Sequence, residues 1–301
     1  MDVVISGSTG LIGSALGEAL TTAGHRPIGL VRSGSKGDEI AWDPEAGTID
    51  TASLEGVDAV VHLAGAGIGD HRWTDAYKRT IRRSRTEGTS LLAGALAGLT
   101  KRPSVLVSGS AVGIYGDRGD DVVDETSPPG TGFLPDVCVA WEEATATAAE
   151  AGIRVARIRS GIVLSPRGGA LKKQLPLFKL GLGGQLGSGQ QWFSWISIDD
   201  EVGAILHLLT HEVAGPANLT APHPVTNAEF TKALAGVLGR PSFMPIPAFG
   251  PKLVLGSELA EILLYEGQKV LPRVLEDSGY VFTHPTLEEA LRALLDRPTA
   301  A

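Results

Sequence analysis

The stretch VVISGSTGLIG, residues 3–13, decides the fold. Its first half is a run of mostly β-branched apolar residues without polar alternation, which is typical of a strand buried on both faces. Its second half places glycines at Gly7, Gly10 and Gly13. These allow a sharp turn, close approach of a pyrophosphate and packing of a helix on the strand. The N–H groups and positive dipole end of that helix would face the phosphates. The stretch therefore predicts a dinucleotide-binding fold.

Strands and helices alternate beyond this stretch. Continuous apolar runs predict further strands in 26–34, ending near Arg32, and at 57–67, 103–113 and 153–164. Residues 8–25 predict a turn and then a helix that ends at Gly24, and further helices are predicted at roughly 74–99 and at 141–152. This alternation indicates parallel, right-handed βαβ units. The fold class predicted is α/β, a Rossmann-type doubly wound parallel sheet with a smaller C-terminal substrate lobe.

The alternation ends after Ser165, which suggests where the chain divides. We expect an NADP-binding Rossmann domain over 1–165, to which a strand and a helix return near 190–220. The remainder, 166–301, would form the C-terminal substrate lobe over the carboxyl edge of the sheet, where open α/β sheets bind ligands. The returning helix, DDEVGAILHLL, would be capped by Asp199 or Asp200.

Composition limits the classes of protein and partner. The 301 residues carry a net charge of −8, which disfavours a nucleic-acid-binding surface. The single cysteine excludes an internal disulfide and favours a reducing, cytoplasmic location. No apolar run approaches the roughly 18–20 residues that a membrane span needs, and the chain opens on a strand without a secretory signal. The seven histidines show no metal-ligand spacing. We therefore expect no metal, nucleic acid or membrane partner.

The end of the second strand predicts which nicotinamide cofactor is bound. An NAD site places an acidic residue there to bond the ribose, but no acidic residue occurs from His25 through Gly37. Arg32 occupies the strand end instead and can form charge-assisted hydrogen bonds with a 2′-phosphate. Ser33 and Lys36 could add to this contact. The sequence therefore predicts NADP(H).

Several motifs carry a family resemblance. GSTGLIG (7–13), HLAG (62–65) and VLVSGSAVGIYG (105–116) resemble the extended short-chain dehydrogenase/reductase superfamily. Longer motifs are similar to its atypical, sugar-nucleotide epimerase-like branch, which carries a C-terminal domain of unknown function, here at about 245–295. These motifs are SRTEGT (84–89), DETSPPG (124–130), WEEA (141–144), RSGIVLS (159–165), FKLGLGGQLGSGQQWFSWI (178–196), VTNAEFTKALAGVLGRP (225–241) and LLYEGQKVLP (263–272).

The resemblance implies an NADP-binding fold and a set of cofactor contacts. Those contacts would come from Gly7, Ser8, Thr9, Gly10, Leu11, Ile12, Gly13, Arg32, Leu63, Ala64, Gly65, Thr80, Arg85, Ser108 and Val163. Val163 would lie beside the nicotinamide. Ser110 resembles the active-site serine, and Ser108 is the alternative because the loop to Tyr115 is a residue longer than usual. Tyr115 itself would transfer a proton or line the pocket.

The catalytic pair of the superfamily is missing. Where that family has a tyrosine and, four residues later, a lysine, this chain has Cys138 and Glu142. The spacing still puts both on one helical face, but a carboxylate raises the pKa of a nearby thiol above its usual value of about 8.5. Cys138 is either a weak acid or a small buried side chain. Glu142 is either a general base or a carboxylate favoured by the helix dipole. The motif Tyr-x-x-x-Lys occurs only at Tyr265 and Lys269, after no suitable strand.

Two functions follow from these residues. One is an NADP(H)-dependent oxidoreductase or epimerase acting on a small polar substrate, with a nucleotide sugar as one candidate. The other is a non-catalytic NADPH-binding regulatory or scaffold protein. The long helix at 74–99 is a candidate homodimer interface. A basic rim for a diphosphate could come from Lys172, Lys173, Lys179, Arg240 and Arg273, which could equally be individually solvated charges.

Overall fold

The computed structural model describes residues 1–32, 37–242, 246–247 and 249–296. The strands of these residues are β1 (Asp2–Ser6), β2 (Arg26–Val31), β3 (Ile40–Asp43), β4 (Thr48–Ile49), β5 (Ala59–His62), β6 (Val105–Ala111), β7 (Val122–Val123), β8 (Arg154–Ser160), β9 (Ile162–Leu164), β10 (Trp192–Phe193), β11 (Trp195–Ser197), β12 (Gly215–Leu219), β13 (Val225–Thr226) and β14 (Lys269–Val270). The helices are α1 (Leu11–Thr22), α2 (Asp75–Ala97), α3 (Phe133–Glu143), α4 (Ala146–Glu150), α5 (Gly169–Lys179), α6 (Ile198–Thr210), α7 (Asn227–Leu238), α8 (Phe249–Leu255), α9 (Ser257–Ala260), α10 (Arg273–Asp277) and α11 (Leu287–Leu294).

The main sheet has the order β12-β8-β6-β5-β1-β2-β3-β4. Neighbouring strands are parallel except β3 and β4, which pair antiparallel. The predicted α/β class and Rossmann-type parallel sheet are thereby confirmed, whereas the sequence signals above do not identify β3 and β4. Strand order reverses between β1 and β5, so a crevice opens at their carboxyl ends, where such sheets bind ligands.

Apolar residues on both faces of the sheet hold the helices against it. Val3 and Ile5 of β1 point to the layer formed by α1 and α6, whereas Val4 between them points to the layer formed by α2 and α4. The residues that cover the first face include Leu16, Leu20, Ile205 and Leu208, and those that cover the second include Leu92, Leu96 and Ala148. Burial on both faces explains why the strands are continuously apolar.

The strand predicted over 153–164 is broken. β8 ends at Ser160, and β9 pairs with β11 outside the main sheet. Gly161 makes the break because a Cβ there would lie 2.6 Å from the Ser194 carbonyl oxygen. The Ile162 N–H then donates to the same oxygen at 2.8 Å. The chain therefore leaves the sheet at the carboxyl edge and forms part of the cleft described below.

Two predicted helix boundaries are wrong. The helix placed at 141–152 is two helices, α3 and α4, and the Thr145 hydroxyl donates to the Glu142 carbonyl at 2.7 Å where they separate. The cap of α6 is Ser197, whose hydroxyl accepts from the Asp200 N–H at 3.0 Å, and not Asp199 or Asp200. Asp200 is engaged elsewhere, because its carboxylate accepts N–H groups of the segment that follows α10.

Packing of α6 on the sheet predicts a large loss of stability when its buried face is truncated. Leu208 is fully buried, so Leu208→Ala should lower the free energy of unfolding by about 2–5 kcal/mol through lost contacts and a cavity. Leu253→Ala is the matched control, since Leu253 is 76% exposed and should change that energy by less than about 0.5 kcal/mol. Equal losses in urea unfolding of the two variants would contradict this account of the core.

Candidate active site

The glycine turn after β1 forms an open cradle. Gly7 has φ +71°, and a Cβ there would lie 3.1 Å from the Ala64 nitrogen. A Cβ on Gly13 would lie 2.2 Å from the Gly7 carbonyl oxygen, so helix α1 packs directly on the turn. The Gly10 N–H closes the turn by donating to that oxygen at 2.9 Å. Because α1 begins at Leu11 without a side-chain cap, its first N–H groups are available to an anion, and the cradle fits a pyrophosphate.

A buried network holds the two strand ends that flank this cradle. The Ser6 hydroxyl accepts from the N–H groups of Leu63 and Ala64 at 3.1 and 3.2 Å. It is also 2.6 Å from His62 Nδ1, and burial lowers the pKa of His62 to about 4. Ser6 therefore donates its proton to a neutral imidazole. Nε2 must carry the ring proton and donate to the Thr89 hydroxyl, 2.9 Å away.

The other predicted cofactor residues lie at or near the same edge. Leu63, Ala64 and Gly65 follow β5 directly beside the glycine turn. Arg85, on α2, lies next to them, since a Cβ on Gly65 would be 3.4 Å from its Cζ. Its Nη1 donates to the carbonyls of Ala66 and Ile81 at 2.9 and 3.2 Å, which fixes the guanidinium.

The remaining predicted contacts are more dispersed. Arg32 is exposed immediately after β2, and Thr80 is exposed on α2 with its hydroxyl donating to the Ala76 carbonyl. Val163 lies on β9, and its carbonyl oxygen is within 3.4 Å of a Cβ built on Gly169. Ser33 and Lys36 lie outside the described residues.

A cleft of about 410 Å³ opens at the carboxyl ends of β6 and β8. Its wall is mostly apolar, and the C-terminal segment 262–268 closes its outer side. Apolar lining residues are Ile68, Ile81, Ala111, Val112, Phe133, Leu134, Pro135, Val137, Trp141, Ile162, Trp192, Ile262 and Leu263. Polar lining residues include Arg85, Ser110, Cys138, Ser160, Ser194, Glu266 and Gln268.

The two candidate serines occupy different environments. Ser110 lines the cleft, and its hydroxyl donates to Glu142 Oε1 at 2.8 Å. Ser108 is fully buried on the same strand, and its hydroxyl has no hydrogen-bond partner among the described residues. The structure therefore places Ser110, and not Ser108, where a substrate could reach it.

Behind Ser110 lies a buried ion pair. Arg159 donates from Nε to Glu142 Oε1 at 2.8 Å and from Nη2 to Oε2 at 3.0 Å. Its Nη1 donates to the Tyr115 hydroxyl at 2.9 Å, and Tyr115 donates to Asn218 Oδ1 at 2.7 Å. Glu142 thus accepts three hydrogen bonds. It orients Ser110 from behind and does not itself line the cleft.

The pKa values within this network follow from its burial and pairing. Burial alone would lower the pKa of Arg159, but the hydrogen bonds and charge of Glu142, together with Tyr115, raise it above its ordinary value. Burial also raises the pKa of Tyr115, which has no exposed surface. Tyr115 therefore braces Arg159 as a neutral phenol in this geometry.

Cys138 lines the cleft wall as a neutral thiol. Burial raises its pKa to about 12, while Arg85 lowers the pKa and Glu142 raises it to smaller extents. The predicted direction of the shift is correct, but burial and not the neighbouring carboxylate is its main cause. The thiol is uncharged at neutral pH and is only a weak acid or a packing group.

The Tyr265 and Lys269 pair does not reproduce the missing catalytic pair. Tyr265 ends a single π turn, Glu261–Tyr265, whereas Lys269 lies on β14 with its Nζ 4.2 Å from the centroid of a Trp192 ring. The chain between them is not helical, so the two side chains do not share a helical face.

Sequence reasoning missed a second hydroxyl and carboxyl pair at the cleft. Ser160, at the end of β8, lines the cleft, and its Oγ is 2.5 Å from Oε1 of Glu201 on α6. Glu201 is fully buried. The sequence did contain a signal for this pair, which is a glutamate on the apolar face of an amphipathic helix. Glu201 lies three residues after Ile198 and four before Ile205. A carboxyl group on such a face is uncommon.

Within the ranges that the structure describes, no helix has the length and apolarity to cross a membrane. In the same ranges, no group of His, Cys, Asp and Glu side chains is arranged to hold a metal ion.

Comparisons with known proteins agree with this architecture. Residues 3–220 match the model of the NAD dependent epimerase/dehydratase family, and residues 246–294 match a domain of unknown function, DUF1731. The chain is 45% identical to the epimerase family protein MT2273 of Mycobacterium tuberculosis over 98% of each chain.

Two solved structures extend the comparison. The human epimerase family protein SDR39U1 (isoform 2), solved with NADPH, superposes with a TM-score of 0.91 at 36% identity, covering 98% of this chain and 99% of that chain. A nucleoside-diphosphate sugar epimerase of Corynebacterium glutamicum gives a TM-score of 0.80 at 39% identity, covering 98% of this chain and 58% of that chain. The resemblance to the atypical short-chain dehydrogenase/reductases is thereby confirmed.

The buried ion pair predicts how the site responds to losing one partner. Arg159→Met leaves Glu142 without its cation in a dry environment, so the free energy of unfolding should fall by about 3–5 kcal/mol. Adding Glu142→Leu should restore most of that energy, because neither charge then remains buried. Chemical denaturation of the single and double variants measures both effects. A double variant no more stable than Arg159→Met would contradict the interpretation.

Proposed function

Because the chain belongs to the NAD dependent epimerase/dehydratase family, we propose that it is an NADP(H)-dependent oxidoreductase or epimerase-like enzyme. The single observation that carries this proposal is the cleft at the carboxyl ends of β6 and β8, which holds Ser110 at the same edge of the sheet as the glycine turn. A catalytic cleft at this edge is the usual arrangement of open α/β sheets.

The proposed cofactor is NADP(H). The cradle at Gly7, Gly10 and Gly13 would hold the pyrophosphate, and Arg32 would hold the 2′-phosphate. The human relative solved with NADPH supports this assignment. When bound, the nicotinamide would supply or accept a hydride, which is chemistry that protein side chains lack. Arg85, fixed next to the end of β5, would limit where the cofactor can lie.

Ser110 is proposed to accept a hydrogen bond from a hydroxyl group of the substrate. Its proton is directed to Glu142, so its lone pairs are the groups available to a substrate hydroxyl. Glu142 is held by Arg159 through both oxygens and therefore keeps Ser110 in this orientation. Cys138 contributes an uncharged wall in this proposal, and Tyr115 supports Arg159 from behind.

The cleft lining favours a small substrate with one polar end. A diphosphate needs cations or clustered N–H donors, yet Arg85 is the only basic side chain in the described lining, and it already donates to two carbonyls. Glu266 also lines the cleft, and burial raises its pKa. None of the five cations proposed above as a basic rim lines the cleft. A nucleotide sugar remains the alternative, with its diphosphate outside this cavity.

The competing proposal is a non-catalytic NADPH-binding regulatory or scaffold protein. The neutral thiol at the position of the usual catalytic tyrosine favours it. In either case we propose a cytoplasmic location, because the chain has a single cysteine. We also propose that the chain divides functionally near residue 165. A third proposal is that the protein forms a homodimer through the exposed face of α2. Size-exclusion chromatography with light scattering tests the dimer.

Cofactor selectivity tests the role of Arg32. Arg32→Ala should weaken NADPH binding by roughly tenfold to hundredfold, as expected for losing charge-assisted hydrogen bonds of about 1.5–3 kcal/mol, and leave NADH binding nearly unchanged. Fluorescence titration with both cofactors measures the ratio. Arg82→Ala, at another exposed arginine, is the control. An unchanged ratio for Arg32→Ala would remove this residue from the proposed 2′-phosphate site.

Turnover tests the role of Ser110. With a panel of small carbonyl and hydroxyl compounds, absorbance of the nicotinamide should report activity that Ser110→Ala lowers by up to about tenfold, as expected for the loss of one hydrogen bond. Ser108→Ala is the matched control on the same strand, and it should retain activity because its hydroxyl is buried and unpaired. Absence of turnover, together with specific NADPH binding, would support the regulatory alternative.

A further inference from the structure

Two hydroxyl groups face the cleft from neighbouring strand ends, each backed by a carboxyl group. Ser110, on β6, contacts Glu142, and Ser160, on β8, contacts Glu201. The strands are paired, with Ala111 opposite Ser160 and Ser110 opposite Arg159. The same chemical pair therefore occurs twice on the floor of one cleft, in two different electrostatic environments.

Glu142 is ion-paired with a cation, whereas Glu201 forms no ion pair with any residue that the structure describes. Glu142 accepts hydrogen bonds from Arg159 through both oxygens and forms an ion pair with it. Glu201 is fully buried, and Ser160 is its only hydrogen-bond partner among the described residues. Its second oxygen, Oε2, is buried without any partner in that part of the chain. A bare charge in such a position would be costly, so the neutral acid is favoured.

The titratable groups near Glu201 supply no cation to pair with it. Asp199 and Asp200 precede it on α6, and Tyr280 faces it from the segment after α10. Asp200 is occupied by the N–H groups of Thr283 and His284 and by the Tyr280 hydroxyl. All three of these titratable groups are acidic, and none can neutralise a carboxylate. Burial accordingly raises the pKa of Glu201 to about 8, against a small lowering by Ser160.

The 2.5 Å contact between Ser160 Oγ and Glu201 Oε1 allows a hydrogen bond in either direction. When Glu201 is protonated it can donate to Ser160, and the Ser160 hydroxyl is then free to donate into the cleft. Ser110 cannot do the same, because its proton is directed to Glu142. Two carboxyl groups in different electrostatic environments are a common basis for separate acid and base roles in one site.

We propose that Ser160 is a catalytic hydroxyl that protonates the substrate oxygen, and that Glu201 acts through it as the stored proton. This assignment rests on the proposed oxidoreductase function and supplies the donor that replaces the absent tyrosine and lysine. Neither residue stands at the position of the missing tyrosine or lysine, because Ser160 ends β8 and Glu201 lies on α6.

The proposed step transfers one hydride and one proton to a carbonyl group. NADPH would supply a hydride to a carbonyl carbon and become NADP⁺. Ser160 gives its proton to the carbonyl oxygen, which becomes a hydroxyl. Glu201 gives its proton to Ser160 and becomes a carboxylate, and a proton from water later restores the acid. Oxidation of an alcohol runs the same transfers in reverse, with Ser160 returning the proton to Glu201.

The first test needs no substrate. Infrared spectra of the protein with NADPH should contain the carbonyl band of a protonated carboxylic acid, lost as pH rises through about 8. Glu201→Gln should remove this band, because the amide has the same shape and no titrating proton. Glu150→Gln is the matched control, since this glutamate is exposed on α4 and its replacement should leave the acid band unchanged. A wild-type spectrum without the acid band would overturn the proposal and leave the proposed function intact.

The second test uses the turnover assay. Glu201→Gln and Ser160→Ala should each lower the rate of carbonyl reduction by about hundredfold, within the range of general-acid catalysis. The wild-type rate should fall as pH rises through about 8, and Glu201→Gln should lose that dependence. Ser160→Thr keeps the hydroxyl and should restore most of the rate that Ser160→Ala loses.

The outcomes separate the two proposals. Wild-type turnover that survives Glu201→Gln and Ser160→Ala with an unchanged pH profile overturns the Ser160 and Glu201 assignment alone. No wild-type turnover with any substrate overturns the oxidoreductase function, and the proton-donor role falls with it. If Glu201→Gln does not fold, Ser160→Ala and the Ser160→Thr rescue decide the matter, because both variants keep the Glu201 side chain.

Discussion

The guanidinium of Arg159 joins the parts of the molecule that make the cleft floor. It lies at the carboxyl end of β8, pairs through two nitrogens with Glu142 on α3, and donates through the third to Tyr115. The Tyr115 hydroxyl in turn donates a hydrogen bond to Asn218 on β12. A buried charge of either sign would be costly alone, so each member is needed to keep the others in place. The orientation of Ser110 depends on this arrangement.

The cleft floor carries two serine hydroxyls at strand ends, and helix α3 lacks the tyrosine and lysine of the superfamily. Where a tyrosine and a lysine would share a face of α3, Cys138 is a neutral thiol in the wall and Glu142 turns inward to its arginine. Among the polar groups that line the cleft, Ser110 and Ser160 lie on paired strands of the sheet. Hydroxyls on strands are positioned more rigidly than side chains on loops, which suits a site without a strongly charged catalytic group.

The C-terminal part of the chain is tied to this floor by polar contacts as well as by packing. β14 pairs with β7, and Asp200 accepts the N–H groups of Thr283 and His284. Glu125 accepts from the N–H groups of both Asn218 and Val274, so one carboxylate joins β12 to α10. These contacts hold the C-terminal part of the chain against the sheet, where residues of segment 262–268 line the cleft.

The sequence by itself determined the doubly wound sheet, the glycine cradle and the residue types at the absent catalytic pair. These are local properties, since a strand buried on both faces is continuously apolar and a tight turn at a helix N-terminus requires glycine. Tertiary structure alone decided which of Ser108 and Ser110 reaches the cleft, that Glu142 is held by Arg159, and that Ser160 meets Glu201. Those pairs are 17 and 41 residues apart in the chain, and hydrogen bonds between such residues depend on strand register and helix packing. A protonation state that is set by burial can be inferred only from the folded structure, because it depends on the groups that surround the side chain.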